Sequence, residues 1–137
     1  GILWYQGESN CIKGDLNIYI DKASALVQSW RTAFKQQDLS FYYVQLTPFS
    51  YTKYFSHSHE NLTVESLPRF MEAQRACLDI IPKSGMVVIS DINGLEGGLH
   101  PPQKRDLGYR LSLWALAKDY GKKNLVYSGP IYKSMKV

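Results

Sequence analysis

Short apolar runs alternate with helical stripes along this chain, and that alternation constrains its fold more than any other feature. Gly1 to Tyr5 is rich in branched and aromatic residues and stops at Gln6-Gly7, which predicts a buried strand closing in a tight turn. From Leu16, apolar residues recur at Tyr19, Ala23, Leu26, Trp30 and Ala33; spacings of 3 and 4 predict a helix reaching about Gln36. Asp15 is a candidate N-cap for it. Ser40 to Leu46 predicts a second strand by its aromatic and branched content. Pro68 near a helix start, then Phe70, Ala73, Cys77 and Ile80, predict a second helix. Ser84-Gly85 punctuates, Met86 to Ser90 predicts a third strand, and Leu107, Leu111, Trp114 and Ala115 mark a last helix from about Gln103 to Tyr120, with Gly121 as its C-cap. Strands apolar on both faces, separated by helices, imply an α/β sandwich with a parallel sheet.

Other classes drop out on composition. With 45% apolar and 20% charged residues the chain is not of disordered type. No apolar run approaches the roughly 20 residues of a bilayer span, and no targeting segment is visible. The 16 Lys and Arg against 12 Asp and Glu are scattered rather than gathered in a stripe, so no nucleic-acid partner is expected. Cys11 and Cys77 show neither CxxC nor metal-ligand spacing and are expected to be buried free thiols.

Ligands of parallel sheets bind beyond the carboxyl ends of the strands. Three segments lie there: Gln6 to Asn10, the loop after Leu46, and Asp91 to His100. His100, between Leu99 and Pro101 and just before a helix, is the leading candidate for a general base, with Glu96 and Asp91 as nearby acids. Gln6, Gly7, Glu8 and Asn10 form a polar strand-end turn whose N–H groups suit an oxyanion hole. Ser9 is a poor nucleophile candidate, because the elbow pattern G-x-S-x-G would need glycine where Cys11 stands. Residues 47 to 63 are expected to form a long loop; its His57 and His59 lack an obvious third metal ligand, so no metal site is expected. Asn61-Leu62-Thr63 matches a glycosylation pattern of low specificity. Arg69, Glu72 and Gln74 are expected on a solvated helix face, and Trp30 and Trp114 in the core.

The run Trp4-Tyr5-Gln6-Gly7-Glu8-Ser9-Asn10, taken with His100-Pro101-Pro102, Lys104-Arg105-Asp106-Leu107-Gly108 and Leu113-Trp114-Ala115-Leu116-Ala117, resembles the sialate O-acetylesterases of the SGNH-hydrolase superfamily. Trp30-Arg31, Phe41 to Leu46 and Glu72-Ala73-Gln74 share the resemblance. It implies a flavodoxin-like three-layer α/β/α fold and a serine esterase that removes O-acetyl groups from sialic acid or a related acetylated sugar, without a cofactor. It also implies an exported or lysosomal setting. The family's nucleophile sits in an earlier G-x-S block with no counterpart here. The chain is therefore expected to be the later part of a catalytic domain, over residues 1–123, with the first strands missing and a tail over 124–137 leading out. Gln6, Gly7, Glu8 and Asn10 would then lie in the oxyanion and substrate-contact region, and His100 would be the general base. One departure concerns the acid: superfamily members commonly carry Asp three residues before the His, where this chain has Gly97. Asp91, Glu96 or a backbone carbonyl near residue 98 remain as orienting groups. The alternative reading is a non-catalytic carbohydrate-binding or interaction module on the same scaffold.

Overall fold

The computed structural model describes residues 1–93 and 98–136, with the backbone alone at 93. Three strands, β1 (Ile2–Trp4), β2 (Phe41–Val44) and β3 (Ser84–Val87), pair in parallel in that order, with Ile2 opposite Phe41 and Phe41 opposite Ser84. The helices are α1 (Glu8–Lys13), α2 (Tyr19–Ala33), α3 (Tyr51–Phe55), α4 (Ser66–Ile80), α5 (Ser90–Asn93) and α6 (Lys104–Lys118).

The pleat of β2 explains the three layers. Phe41 and Tyr43 point into one core with Tyr19, Val27, Phe70 and Cys77, which come from α2 and α4. Tyr42 and Val44 point the other way, into a second core with Val87, Leu107, Leu111 and Trp114, so α6 covers the opposite face. All four residues of β2 are buried, as a strand covered on both faces requires. The outcome is the three-layer α/β/α arrangement. Buried Arg31 ties the loops entering β2 and β3 by donating to the carbonyls of Leu39 and Pro82. No helix among the described residues is long and apolar enough to cross a membrane.

The first strand departs from expectation. It lies at the sheet edge; Ile2 and Trp4 pack against the α2 and α4 core, but Leu3 is 63% exposed because no helix covers its face there. The third strand begins two residues earlier than predicted and ends at Val87. Ser84-Gly85 is part of the strand because a Cβ at Gly85 would stand 2.5 Å from the Trp114 indole. Glycine there serves the close approach of α6, not a turn. Residues 47–63 are not structureless: they hold α3 and a 3-10 turn at Ser56–Ser58. Gln74 is not solvated but fully buried. Its Oε1 accepts from the Leu46 N–H at 2.9 Å and its Nε2 donates to the Val44 carbonyl at 3.4 Å, satisfying the backbone where β2 ends. Cys11 and Cys77 are free and buried, as expected.

Candidate active site

The Gln6–Gly7 junction is built from below. Gly7 is buried with φ +152, and a Cβ on it would meet Phe70 Cε1 at 2.8 Å and Gln74 Nε2 at 3.4 Å. Phe70 is itself fully buried and packs on Tyr19 at 4.5 Å between ring centres. Only glycine fits a backbone pressed this closely onto an aromatic ring in that conformation. The chain then enters α1 directly, with the Cys11 N–H bonded to the Gly7 carbonyl at 2.8 Å. Glu8, Ser9 and Asn10 thus form the first turn of a helix rather than an open turn. A six-residue, mostly polar helix leaves no hydrophobic period to read, which is why the sequence shows a turn there.

A polar chain fixes the side chains. Gln6 Nε2 donates to Asn10 Oδ1 at 3.0 Å, Asn10 Nδ2 donates to Asp15 Oδ2 at 2.9 Å, and Lys22 Nζ donates to the same carboxylate at 2.7 Å. The bonds from Lys22 and Asn10 hold the Asp15 carboxyl below its ordinary range. Asp15 is therefore an anchor for Asn10 and makes no side-chain cap for a helix. Gln6 keeps one amide hydrogen beyond its bond to Asn10. Glu8 turns back on the turn: its Oε2 accepts from the Gly7 N–H at 3.0 Å. Two phenols gather around Glu8. The hydroxyls of Tyr5 and Tyr51 are buried without a hydrogen-bond partner. Burial first, then the Glu8 charge, pushes the Tyr5 phenol up to about 12 and the Tyr51 phenol further still, so both stay protonated. The same two causes push the Cys11 thiol up to about 12, which makes it an inert core group and not a nucleophile.

His100 is exposed, in the segment that precedes α6. Its neighbours hold that segment: Leu99 packs against the α2 and α4 core, and Pro101 is buried. Lys104, at the start of α6, places its Nζ 4.8 Å from the centre of the Tyr5 ring. That contact bridges the segment carrying His100 and the end of β1. Of the acids expected beside His100, Asp91 lies at the start of α5 and is 64% exposed. Both its oxygens are taken by Arg110, at 2.7 and 2.6 Å, and this pairing lowers its carboxyl pKa. Glu96 lies outside the described residues. His57 and His59 sit in and beside the 3-10 turn, and no metal-binding cluster occurs among the described residues. Ser9 is exposed on α1.

Residues 1–100, from the first strand through His100, match the model of the family described as carbohydrate esterase, sialic acid-specific acetylesterase. The chain belongs to this family. It is 30% identical to the sialate O-acetylesterase of Mus musculus over 100% of its own length and 26% of the relative's. The sialate O-acetylesterase of Homo sapiens is also 30% identical, over 96% of this chain and 26% of the relative. The acetylesterase-family chain thus spans about a quarter of the length of the curated relatives it matches. A crystal structure of a carbohydrate acetylesterase from Xanthomonas citri superposes with a TM-score of 0.80 at 33% identity, covering 98% of this chain and 29% of that one. Glu72-Ala73-Gln74 was among the residues that carried the resemblance, the one signal by which buried Gln74 was marked in the sequence.

Proposed function

We propose that this chain forms the base-bearing part of a serine esterase that removes O-acetyl groups from sialic acid or a related acetylated sugar. The observation that carries the reading is the family match over residues 1–100, which takes in both the Gln6–Gly7 turn and His100. The serine comes from a segment outside these 137 residues, within what would be the earlier part of the catalytic domain. The expected family setting, an exported or lysosomal enzyme, belongs to the same reading.

The steps follow from the groups. His100 takes the proton of the serine hydroxyl as its oxygen attacks the acetyl carbonyl carbon. The tetrahedral oxyanion accepts from the free Gln6 amide hydrogen and from the Gly7 N–H. Because Glu8 occupies the Gly7 N–H, its carboxylate must swing aside for that donor to act. The bond from the acetyl carbon to the sugar oxygen then breaks, and His100 returns the proton to that oxygen. Water, activated by His100, hydrolyses the acetyl-serine. For Asp91 to orient His100 it would have to leave Arg110. Glu96 and a carbonyl near residue 98 are the other orienting groups.

A serine-directed fluorophosphonate decides the reading. With the esterase that includes this chain, acetate release from an O-acetylated sialic acid is expected to stop, with the adduct mapping to a serine outside residues 1–137. Release that persists with the reagent bound nowhere, or an adduct on Ser9, overturns it.

A further inference from the structure

Among the described residues, a few side-chain hydroxyls are buried without a hydrogen-bond partner, and two of them, those of Tyr5 and Tyr51, lie beside the Gln6–Gly7 turn. Tyr51 is 3% exposed. A hydroxyl that has left water and gained no partner is a net cost to folding, so such groups are uncommon and call for a reason. The two phenols share one neighbourhood. Tyr51 lies in the core cluster with Cys11 and Phe70, and Tyr5 packs against that cluster. Cys11 follows Glu8 by three residues on α1, so Glu8 stands on the side of the helix that faces the cluster, while Ser9 faces solvent. Both rings are packed in place: Tyr51 meets Phe49 edge-on at 5.1 Å, and Lys104 Nζ lies 4.8 Å from the centre of the Tyr5 ring. Glu8 is half-buried on a side chain of several rotatable bonds, so it is the partner able to move. Burial, reinforced by the Glu8 charge, keeps both phenols protonated and hence donors.

We infer that Glu8 is a positioning residue with two seats: one on the Gly7 N–H, where it closes that donor, and one on the hydroxyls of Tyr5 and Tyr51, where it leaves the donor open to the oxyanion. The inference rests on the esterase reading above and adds what holds the carboxylate away from the turn during the reaction. In the first seat Glu8 Oε2 accepts from the Gly7 N–H at 3.0 Å. In the second, two buried O–H groups donate to the carboxylate and gain the partner each lacks. Hydrogen bonds to an ionised oxygen are about twice as strong as neutral ones, so the second seat offsets the loss of the backbone bond. The Gly7 N–H is then free at the moment the tetrahedral oxyanion forms.

The test is a double-mutant cycle in the esterase that includes this chain, with acetate release from an O-acetylated sialic acid as the readout. Tyr51→Phe removes one donor of the second seat and keeps the ring. It is expected to lower kcat about tenfold with KM unchanged, because the donor it keeps closed acts only in the transition state. The urea midpoint should stay level or rise, since an unpartnered hydroxyl has been taken out of the interior. Adding Tyr5→Phe should deepen the loss toward a hundredfold. In a Glu8→Ala background, where nothing closes the Gly7 N–H, Tyr51→Phe should cause no further loss. Should Glu8→Ala fail to fold, Glu8→Gln serves: its neutral amide holds the N–H more weakly, so the loss on Tyr51→Phe should shrink. An unchanged kcat in Tyr51→Phe, the same loss in both backgrounds, a rise in KM alone, or a lowered urea midpoint overturns the inference and leaves the esterase reading standing. No acetate release by the wild type overturns the esterase reading and this inference with it.

Discussion

The two sides of the candidate site are held by different means. On the turn side, Gly7 is buried on Phe70, Gln74 closes the end of β2 beneath it, and Gln6 is locked through Asn10, Asp15 and Lys22. On the His100 side, the imidazole is exposed, and its segment is fastened at three points: Leu99 in the core, buried Pro101, and Lys104 over Tyr5. The contrast suits the two chemical tasks proposed for them. Donors that stabilise a developing charge work when they are fixed before the charge arrives. A base that collects a proton from one group and delivers it to another needs access and a short reach.

Substitution on the turn side carries the largest expected effect on stability. Gly7→Ala forces a methyl group to within 2.8 Å of Phe70 and strains the +152 φ. The expected loss is about 2–4 kcal/mol in urea unfolding. A loss below about 0.5 kcal/mol would mean that the turn is not packed as described. A smaller effect concerns the thiols. Burial pushes Cys11 up to about 12 and Cys77 up to about 11, from an ordinary 9.0. Raised pKa values in the folded state add stability that is fully present below about 9 and lost as pH rises toward 11 to 12. The folded chain should leave both thiols unreacted with a disulfide reagent at pH 8 and yield two on denaturation, with the urea midpoint falling above pH 9. Rapid labelling of Cys11 in the folded chain would show that the turn side is open.

What was legible in the sequence followed from how local each cause was. The strand and helix order was readable because α2, α4 and the flanks of β2 carry long, regular apolar patterns. α1 and α3 were not, since six and five residues are too few to display a period. Gly85 was misread because its reason is the Trp114 ring, which the chain brings up from α6. Gln74 was misread because a polar residue on an amphipathic helix signals solvent, and only the end of β2 supplies the N–H and carbonyl that bury it. The exposure of Leu3 follows from its place on an edge strand, which a three-residue apolar run does not reveal. Within the candidate site, the turn residues and His100 were marked by their position at strand ends and by the resemblance. The Glu8 bond to Gly7, the Arg110 bond to Asp91 and the Lys104 contact with Tyr5 were not, because each depends on a side-chain conformation.

The central claim is that His100 is the general base, and one variant tests it most directly. His100→Ala, in the esterase that includes this chain, should cut kcat for acetate release from an O-acetylated sialic acid by about a hundred- to ten-thousandfold. Its unfolding midpoint should stay within about 0.5 kcal/mol of the wild type, because the side chain is exposed. A folded His100→Ala enzyme that releases acetate at the wild-type rate would contradict the account.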